Sequence, residues 1–405
     1  MLTKPEMNHA SAAEAPAKPE TNVSFADLGR VGEHSLVGRY MRRFWQPVAH
    51  SHDVAVGRSK SVRYFNREYV IYRGQSGAAY VVDPHCPHRA TPMVAAWIEG
   101  DDLRCVYHGW KFASSGQCIE QPAERKSFCD KVKLRSYPTR EYLGLIFAYL
   151  GEDQAPAPDF PTYSRFDGEN INLQFESYTR PSNFFNNLEN LGDLSHLAYL
   201  HADITGRWDE YRDGPVITAK ENEWGVEFRG ERPVSGNKIV QYVGMPNVAY
   251  VKGPPNDQAV AFREFIAWWM PIDDDHHIQF TVVIVRLGAE EFAGYMARED
   301  ERKRKLTMND DATREMLADK MLSGELRFDE MDAEKVKTLW LTDDFAQKGI
   351  GNPANRPPEI MGTADIGVAL CRKVWLRELK KLAKGEPLKE WKFQESYEAR
   401  GDYLS

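Results

Sequence analysis

Two cysteines and two histidines stand in two short segments of the 405-residue sequence: Cys86-x-His88 and then, after sixteen residues, Cys105-x2-His108. Thiolate sulfur and imidazole nitrogen are both metal donors, so four of them presented by two loops make a ligand set. They could hold a tetrahedral zinc, although zinc knuckles favour a C-x2-C or H-x3-H spacing. One cysteine and one histidine from each loop suits a two-iron cluster, with both thiolates on one iron and both imidazoles on the other. Histidine ligation raises the potential of such a cluster and leaves imidazole N–H groups near the surface, which suits an electron relay coupled to protons. Gly109 in HGW and Gly116 in SSGQ fit loops that curl around inorganic sulfide and offer it backbone amides. Cys118, Cys129 and Cys371 fall outside the pattern and are expected as buried small apolar side chains.

A second set lies in NNLENLGDLSHLAYLHAD, residues 186–203, where Glu189, Asp193, His196 and His201 fall within thirteen residues. On a continuous helix Glu189, Asp193 and His196 share a face, at spacings of i,i+4 and i,i+3. His196 and His201 are five apart, about 140° round an ideal helix, so a shared metal predicts an irregular helix between them. Two imidazoles and one carboxylate on one face of an iron form the triad that leaves positions open for dioxygen. The segment offers both imidazoles, and the third ligand must come from elsewhere. A pair of helical histidines alone would more often be packing; the cluster-type motif upstream turns the balance towards ligation.

The C-P-H-R and C-x-Y-H-G-W-K-F segments resemble the Rieske 2Fe-2S domain, over roughly residues 40–150. Combined with the E-x3-D-x2-H-x4-H segment, the chain resembles the terminal oxygenase subunits of the Rieske non-haem iron oxygenases. That resemblance implies a cluster on Cys86, His88, Cys105 and His108, and a mononuclear Fe(II) on His196 and His201. It also implies a third iron ligand far along the chain, an aspartate followed eight residues on by Gly and then by N/D-R-x2-E-x5-D. Asp343, Gly351, Asn355-Arg356, Glu359 and Asp365 hold that spacing. It favours Asp343 over Asp344, which points about 100° away on a helix. The chain departs from the commoner pattern at Lys348 and Asn355, where glutamate and aspartate are usual. Family members assemble as trimers, so His108 of one subunit would hydrogen-bond Asp193 of the next, and Asp193 would hold His196. Asp193 is then catalytic without being a ligand.

The elements that must position these residues are of two kinds. From Ser61 the runs SVRYF, EYVIYRG and AAYVVDP alternate, punctuated by Asn66-Arg67, Gly74 and Gly77, and predict an antiparallel meander. LGLIFAYLG at 143–151 closes that region, and the prolines of GEDQAPAPDFP mark a boundary. Beyond it, a helix over 182–203 and aromatic, β-branched strands within 225–286 predict an antiparallel sheet with helices. Trp268 and Trp269 are expected to pack the sheet rather than cage a substrate. Residues 290–337 are charged and helix-compatible, and a terminal helix capped by Asp365 carries Leu370, Val374, Leu379 and Leu382 along one side. The fold class is therefore α+β: a mobile tail at 1–36, an all-β Rieske domain at 37–155 and, by the resemblance, a helix-grip catalytic domain at 156–405.

Composition narrows the function. A net charge of −8 and a pI near 5.8 remove the counterion-release term that drives binding to nucleic acid. No run approaches eighteen apolar residues, so neither a membrane span nor export is expected, and the odd number of cysteines fits a reducing cytoplasm. No dinucleotide fingerprint precedes a helix, so NADH must act through a separate reductase, with or without a ferredoxin. The start GRYMRRFWQPV, the length and the C-terminal segment look most like the phthalate-type branch with its methoxyaryl demethylases. The resemblance thus implies O2-dependent oxidation of a small aromatic substrate, by O-demethylation or monohydroxylation. The alternatives are a ring-hydroxylating dioxygenase forming a cis-dihydrodiol and a Rieske electron carrier without oxygenase activity.

Overall fold

The computed structural model describes residues 22–151, 156–201, 214–234, 236, 238–253 and 255–401. After a short helix α1 (Leu36–Met41), the N-terminal half is built from eleven strands. They are β1 (Trp45–His50), β2 (Ser59–Tyr64), β3 (Arg67–Arg73), β4 (Ala79–Val82), β5 (Trp97–Glu99), β6 (Asp102–Arg104), β7 (Lys111–Phe112), β8 (Cys118–Glu120), β9 (Ser136–Tyr137), β10 (Thr139–Tyr142) and β11 (Leu145–Tyr149). Three antiparallel sheets result, ordered β1-β11-β10, β2-β3-β4-β9 and β5-β6-β7-β8. The β2–β3 turn falls at Phe65-Asn66, one residue before the expected break. Both residues have positive φ (54° and 59°), as a two-residue hairpin whose twist matches its strands requires. The turn docks on the second half of the chain, with Phe65 N–H donating to Pro271 O (3.1 Å) and Asn66 N–H to Ile272 O (3.0 Å).

The second half is organised by β12 (Ile171–Arg180), β13 (Val216–Glu221), β14 (Gly225–Glu231), β15 (Lys238–Gly244), β16 (Val248–Gly253), β17 (Arg263–Pro271), β18 (His277–Arg286) and β19 (Arg400–Gly401). They form one antiparallel sheet in the order β12-β18-β17-β16-β15-β14-β13, with β19 pairing β15. Alternation gives its two faces different work. Trp268 turns towards the N-terminal half, against Phe147 and Tyr163. Trp269 turns to the opposite face and donates its indole N–H to Gln279 Oε1 at 3.0 Å. Both are buried sheet residues, as expected.

Helices α2 (Phe184–Gly192), α3 (His196–Tyr199), α4 (Ala289–Lys305), α5 (Asp311–Ser323), α6 (Thr338–Ile350) and α7 (Ile366–Lys384) complete the fold. The long α7 packs on β13 and β14 and against α2, where Phe184 and Phe185 meet Trp375 edge to face. Val374, Leu379 and Leu382 are buried along its inner side and Leu370 is partly buried. Asp365 precedes α7 but does not cap it: its carboxylate accepts from Gly362 N–H at 2.6 Å instead. One hydrophobic core runs through both halves, from Val48 and Phe147 to Val226, Trp268 and Trp375.

Contrary to expectation, residues 23–36 are not part of a mobile tail. From Val23 the chain is packed: Leu28 and Val31 are fully buried, Phe25 contacts Phe185, and Val31 N–H donates to Asp274 at 2.8 Å. Four apolar residues, Val23, Phe25, Leu28 and Val31, supply too little periodicity to reveal a docked strap, yet long-range burial suffices to hold it. Residues 1–21 and the boundary residues 152–155 lie outside the described residues.

The halves also meet where Gly144, in the β10–β11 turn at φ +70°, faces β12. A Cβ there would lie 2.2 Å from the Phe175 ring. Gly144→Ala is therefore expected to cost roughly 1–3 kcal/mol from overpacking, before any strain from its left-handed backbone. Thermal unfolding of the purified protein would register this as a lowered Tm.

Candidate metal centres

The two loops that carry the cysteine–histidine pairs have the same backbone design. In the first, Cys86 O accepts from Ala90 N–H (2.9 Å) and Cys86 N–H donates to Thr91 O (2.8 Å). In the second, Cys105 O accepts from Gly109 N–H (3.0 Å) and Cys105 N–H donates to Trp110 O (2.9 Å). Each loop turns back through a residue of positive φ, Ala90 at 54° and Gly109 at 75°. The result places Cys86 and Cys105 inside and His88 and His108 half-exposed, with the two imidazole centroids 4.6 Å apart. The Trp110 indole stacks on His88 at 4.3 Å with an interplanar angle of 3°. Burial pushes the Cys86 thiol up to about 11, so a bound cation is what would hold it as a thiolate. Buried sulfurs behind surface imidazoles fit a cluster that receives and delivers electrons through its histidine side.

The second set converges from three elements. One ligand atom each from His196, His201 and Asp343 lie within 4.8 Å of one another. Asp343 Oδ1 is 3.3 Å from His201 Nε2 and 4.0 Å from His196 Nε2. Asn190 Nδ2–H donates to the same oxygen at 3.2 Å. Burial alone would raise the Asp343 pKa, but the His201 contact and the charges of Arg180, His201 and His196 outweigh it and hold the carboxyl well below its usual range. Burial holds His196 below its ordinary pKa, leaving a neutral imidazole with a free Nε2 lone pair. An anionic carboxylate facing two imidazole Nε2 atoms is a donor set suited to a divalent metal.

The other ring nitrogens are fixed by oxygen acceptors, which sets the tautomers. His196 Nδ1–H points at the backbone carbonyl of Asp193. His201 Nδ1 lies 3.2 Å from Thr342 Oγ1, whose own hydroxyl donates back to Thr338 O at 3.0 Å. Removing the Thr342 hydroxyl, by Thr342→Val, is expected to weaken metal retention by about 10–100-fold, because the imidazole loses its orienting acceptor. Metal content after graded chelator treatment measures it.

Asp343 and Asp344 are neighbours on α6 with opposite surroundings. Asp344 is fully buried and turned away from the histidines, with Arg180 Nε at 2.7 Å and Arg314 Nε at 3.4 Å. Arg180 spans the pair, with Asp343 Oδ2 at 3.7 Å.

The helical break occurs earlier than expected. α2 ends at Gly192, Asp193 leaves helical geometry (φ −94°, ψ 85°), and α3 starts at His196 and ends at Tyr199. The irregularity therefore lies mainly at Asp193–Ser195, upstream of His196, and Leu200 N–H still closes a regular turn onto His196 O at 2.8 Å. The cause is local: Asp193 Oδ1 accepts from Ser195 N–H (3.0 Å) and His196 N–H (3.3 Å), an Asx turn that competes with the helix. Its carboxylate stays 34% exposed, with Oδ2 3.9 Å from His196 Nδ1; the hold on that ring comes from the Asp193 carbonyl. Residues 202 and 203 of the expected helix lie outside the described residues.

Glu189 takes no part in the carboxylate–histidine cluster. It joins Arg356 (2.7 Å) and Arg372, which both bind Glu359 (2.9 and 2.7 Å). Phe25 lies beneath both guanidiniums. The spaced Arg356 and Glu359 thus brace α2 from behind, and Lys348 bridges to α5 through Glu315 and Asp319. Sequence reasoning missed Asn190, Thr342 and Arg180, whose roles depend on contacts across more than 140 residues.

Comparison with known proteins agrees with both halves. Residues 44–138 match the Rieske [2Fe-2S] domain, and residues 181–311 match the vanillate O-demethylase oxygenase C-terminal domain. The chain is 27% identical to the 5,5'-dehydrodivanillate O-demethylase oxygenase subunit of Sphingobium sp. (strain NBRC 103272 / SYK-6), covering 89% of this chain and 80% of that protein. It is 26% identical to the phthalate 4,5-dioxygenase oxygenase subunit of Pseudomonas putida, over 91% and 87% respectively. The fold is shared with NdmA of Pseudomonas putida CBB5 (TM-score 0.61, 19% identity, 86% of this chain and 93% of that one). It is also shared with the terminal oxygenase of carbazole 1,9a-dioxygenase from Novosphingobium sp. KA1 (TM-score 0.60, 18% identity, 86% and 95%). An oxygenase C-terminal domain sets aside the electron-carrier alternative. Two domain matches in that order, on an α+β fold shared with terminal oxygenases, make the chain a member of the Rieske non-haem iron oxygenases, as an oxygenase subunit.

Proposed function

We propose that this chain is the terminal component of a multicomponent oxygenase that O-demethylates or monohydroxylates a small aromatic compound, with NADH oxidised by a separate reductase, directly or through a ferredoxin. Cys86, His88, Cys105 and His108 would hold the 2Fe-2S cluster, and His196, His201 and Asp343 the mononuclear Fe(II). The observation that carries the reading is the buried grouping of His196, His201 and Asp343, with both imidazoles pinned at Nδ1 and both Nε2 atoms turned to one carboxylate. Iron bound there would supply dioxygen activation, and the cluster the electrons for it. The protein's own residues keep the His196 ring neutral and both rings aimed, exclude water from the carboxylate and, through the His201 contact and the charge of Arg180, keep Asp343 anionic. The demethylase relative favours O-demethylation. Relatives that include phthalate 4,5-dioxygenase and 3-chlorobenzoate-3,4-dioxygenase keep ring dioxygenation as the second reading.

Assembly as a trimer belongs to this reading, because it would bring the cluster of one copy beside the exposed carboxylate of Asp193 in the next. A cytoplasmic location is part of the same proposal; among the described residues no helix is long and apolar enough to cross a membrane. The test is a single turnover of the iron- and sulfide-replete protein with labelled dioxygen and panels of methoxylated and plain aromatics. Formaldehyde in equal amount to a phenol supports demethylation. A dihydrodiol carrying both oxygen atoms moves the protein to the second reading, and absence of mononuclear iron sinks the oxygenase site as assigned.

A further inference from the structure

Two cysteines that the cluster does not use lie close enough to react with each other. Cys118, on β8, is buried; Cys129, in the single turn Cys129–Lys131, is half-buried; their Sγ atoms are 3.4 Å apart. Gln117 pins the turn that carries Cys129, its Nε2–H donating to Cys129 O at 2.6 Å and to Val132 O at 3.1 Å. The residues between them form a loop that reaches back to the cluster loops. Phe128 meets Trp110 edge to face at 5.5 Å, and Trp110 is the indole stacked on His88. Pro122 covers Gly109, where a Cβ would lie 3.3 Å from its ring. The second cluster loop is therefore buttressed directly, and the first through Trp110, by a segment whose ends are the two thiols.

We propose that Cys118 and Cys129 are a peroxide-sensitive dithiol whose disulfide ties the 119–128 loop against Trp110 and Gly109 and so alters how the cluster histidines are held. A hydroperoxide oxidises Cys129, the more exposed sulfur: an S–O bond forms, the O–O bond breaks and, for hydrogen peroxide, water leaves. The Cys118 sulfur then attacks that sulfenic acid, an S–S bond forms and a second water leaves. Two thiols and one hydrogen peroxide thus give one disulfide and two waters. Burial pushes the Cys118 thiol up to about 12, so it is the shielded member of the pair, and its proton leaves with the sulfenic hydroxyl as the second water. Closing the bond needs about 1.4 Å of approach to reach the usual sulfur–sulfur bond length, within the reach of side-chain rotation.

The experiment uses the full-length, cluster-loaded protein, treated either with one equivalent of hydrogen peroxide or with dithiothreitol that is then removed. Denaturation, alkylation and peptide mapping are expected to give a Cys118–Cys129 cross-linked pair, two hydrogens lighter than the free peptides, only in the peroxide arm. The visible circular dichroism of the oxidised cluster is expected to shift between arms at constant cluster content, and the shift to vanish in Cys129→Ser. Cys118→Ala serves as a second control should the first variant fold poorly. Recovery of Cys129 as sulfinic acid without a cross-link, a cross-link to Cys86 or Cys105, or identical spectra in the two arms would each overturn the proposal. None of these readouts needs a substrate, so they stand or fall apart from the proposed reaction.

Discussion

Asp343→Asn is expected to leave the protein folded and its cluster intact while mononuclear iron falls to below about a tenth of the wild-type content and product formation is lost. The amide keeps the size of the side chain and can still meet Asn190, but it removes the anionic donor that faces the Nε2 atoms of His196 and His201. Arg180 remains neutralised by Asp344 at 2.7 Å, so no buried cation is stranded. The adjacent change gives the opposite phenotype. Asp344→Asn takes the fully buried counter-charge from two buried arginines, leaving Arg180 only Asp343 at 3.7 Å and Arg314 the exposed Asp311 at 2.8 Å, and removing one partner of such a buried pair costs up to about 3–5 kcal/mol. It should lower Tm sharply while the protein that does fold still binds iron. Metal analysis and thermal unfolding of both variants, side by side, measure the contrast. Retention of full iron content by Asp343→Asn would mean that another group supplies the third ligand.

The contrast shows where a sequence is informative. Both cysteine–histidine loops could be read directly because each donor pair sits within four residues, and a β-loop of that length can present both ends of the pair to one point. The two imidazoles of His196 and His201, five positions apart, could also be read as a pair, but not the shape of the chain leading into them. Helical periodicity treats Asp193 as a helix member, whereas its carboxylate accepts from the backbone amides of Ser195 and His196 and ends α2 at Gly192. Competition between a side chain and the helix ladder leaves little trace in periodicity. Long-range partners were less legible still. Spacing offers Arg356 and Glu359 as a motif, yet only the fold shows that they meet Glu189 and Arg372 behind α2. Thr342 sits beside Asp343 in the chain, but its value is an acceptor for His201, 141 residues away in sequence and met only in the fold. The strap from Val23 to Val31 was hidden for a related reason: its burial depends on the surface it meets and not on its own pattern.

Asp193→Asn is expected to retain the cluster and mononuclear iron and yet lower product formation by roughly 100-fold or more, the scale of removing a positioned proton-transfer group. Asparagine preserves the local fold, since its side-chain oxygen can still accept from Ser195 and His196 N–H, and asparagine caps such turns as well as aspartate does. The carbonyl that orients His196 belongs to the backbone and is unaffected by the change. What the variant loses is a negative charge, 34% exposed, at the surface next to the proposed iron ligands. If that charge receives the cluster histidine of a neighbouring subunit, its removal slows transfer between the two metal sites, and the pre-reduced cluster should reoxidise slowly in a single turnover with substrate and oxygen. If Asp193 serves only as a cap for the 193–196 turn, the asparagine variant reoxidises its cluster and forms product at the wild-type rate, while Asp193→Ala alone fails. Rapid-mixing measurement of cluster reoxidation in the two variants separates a bridge from a cap, because only a bridge depends on the charge.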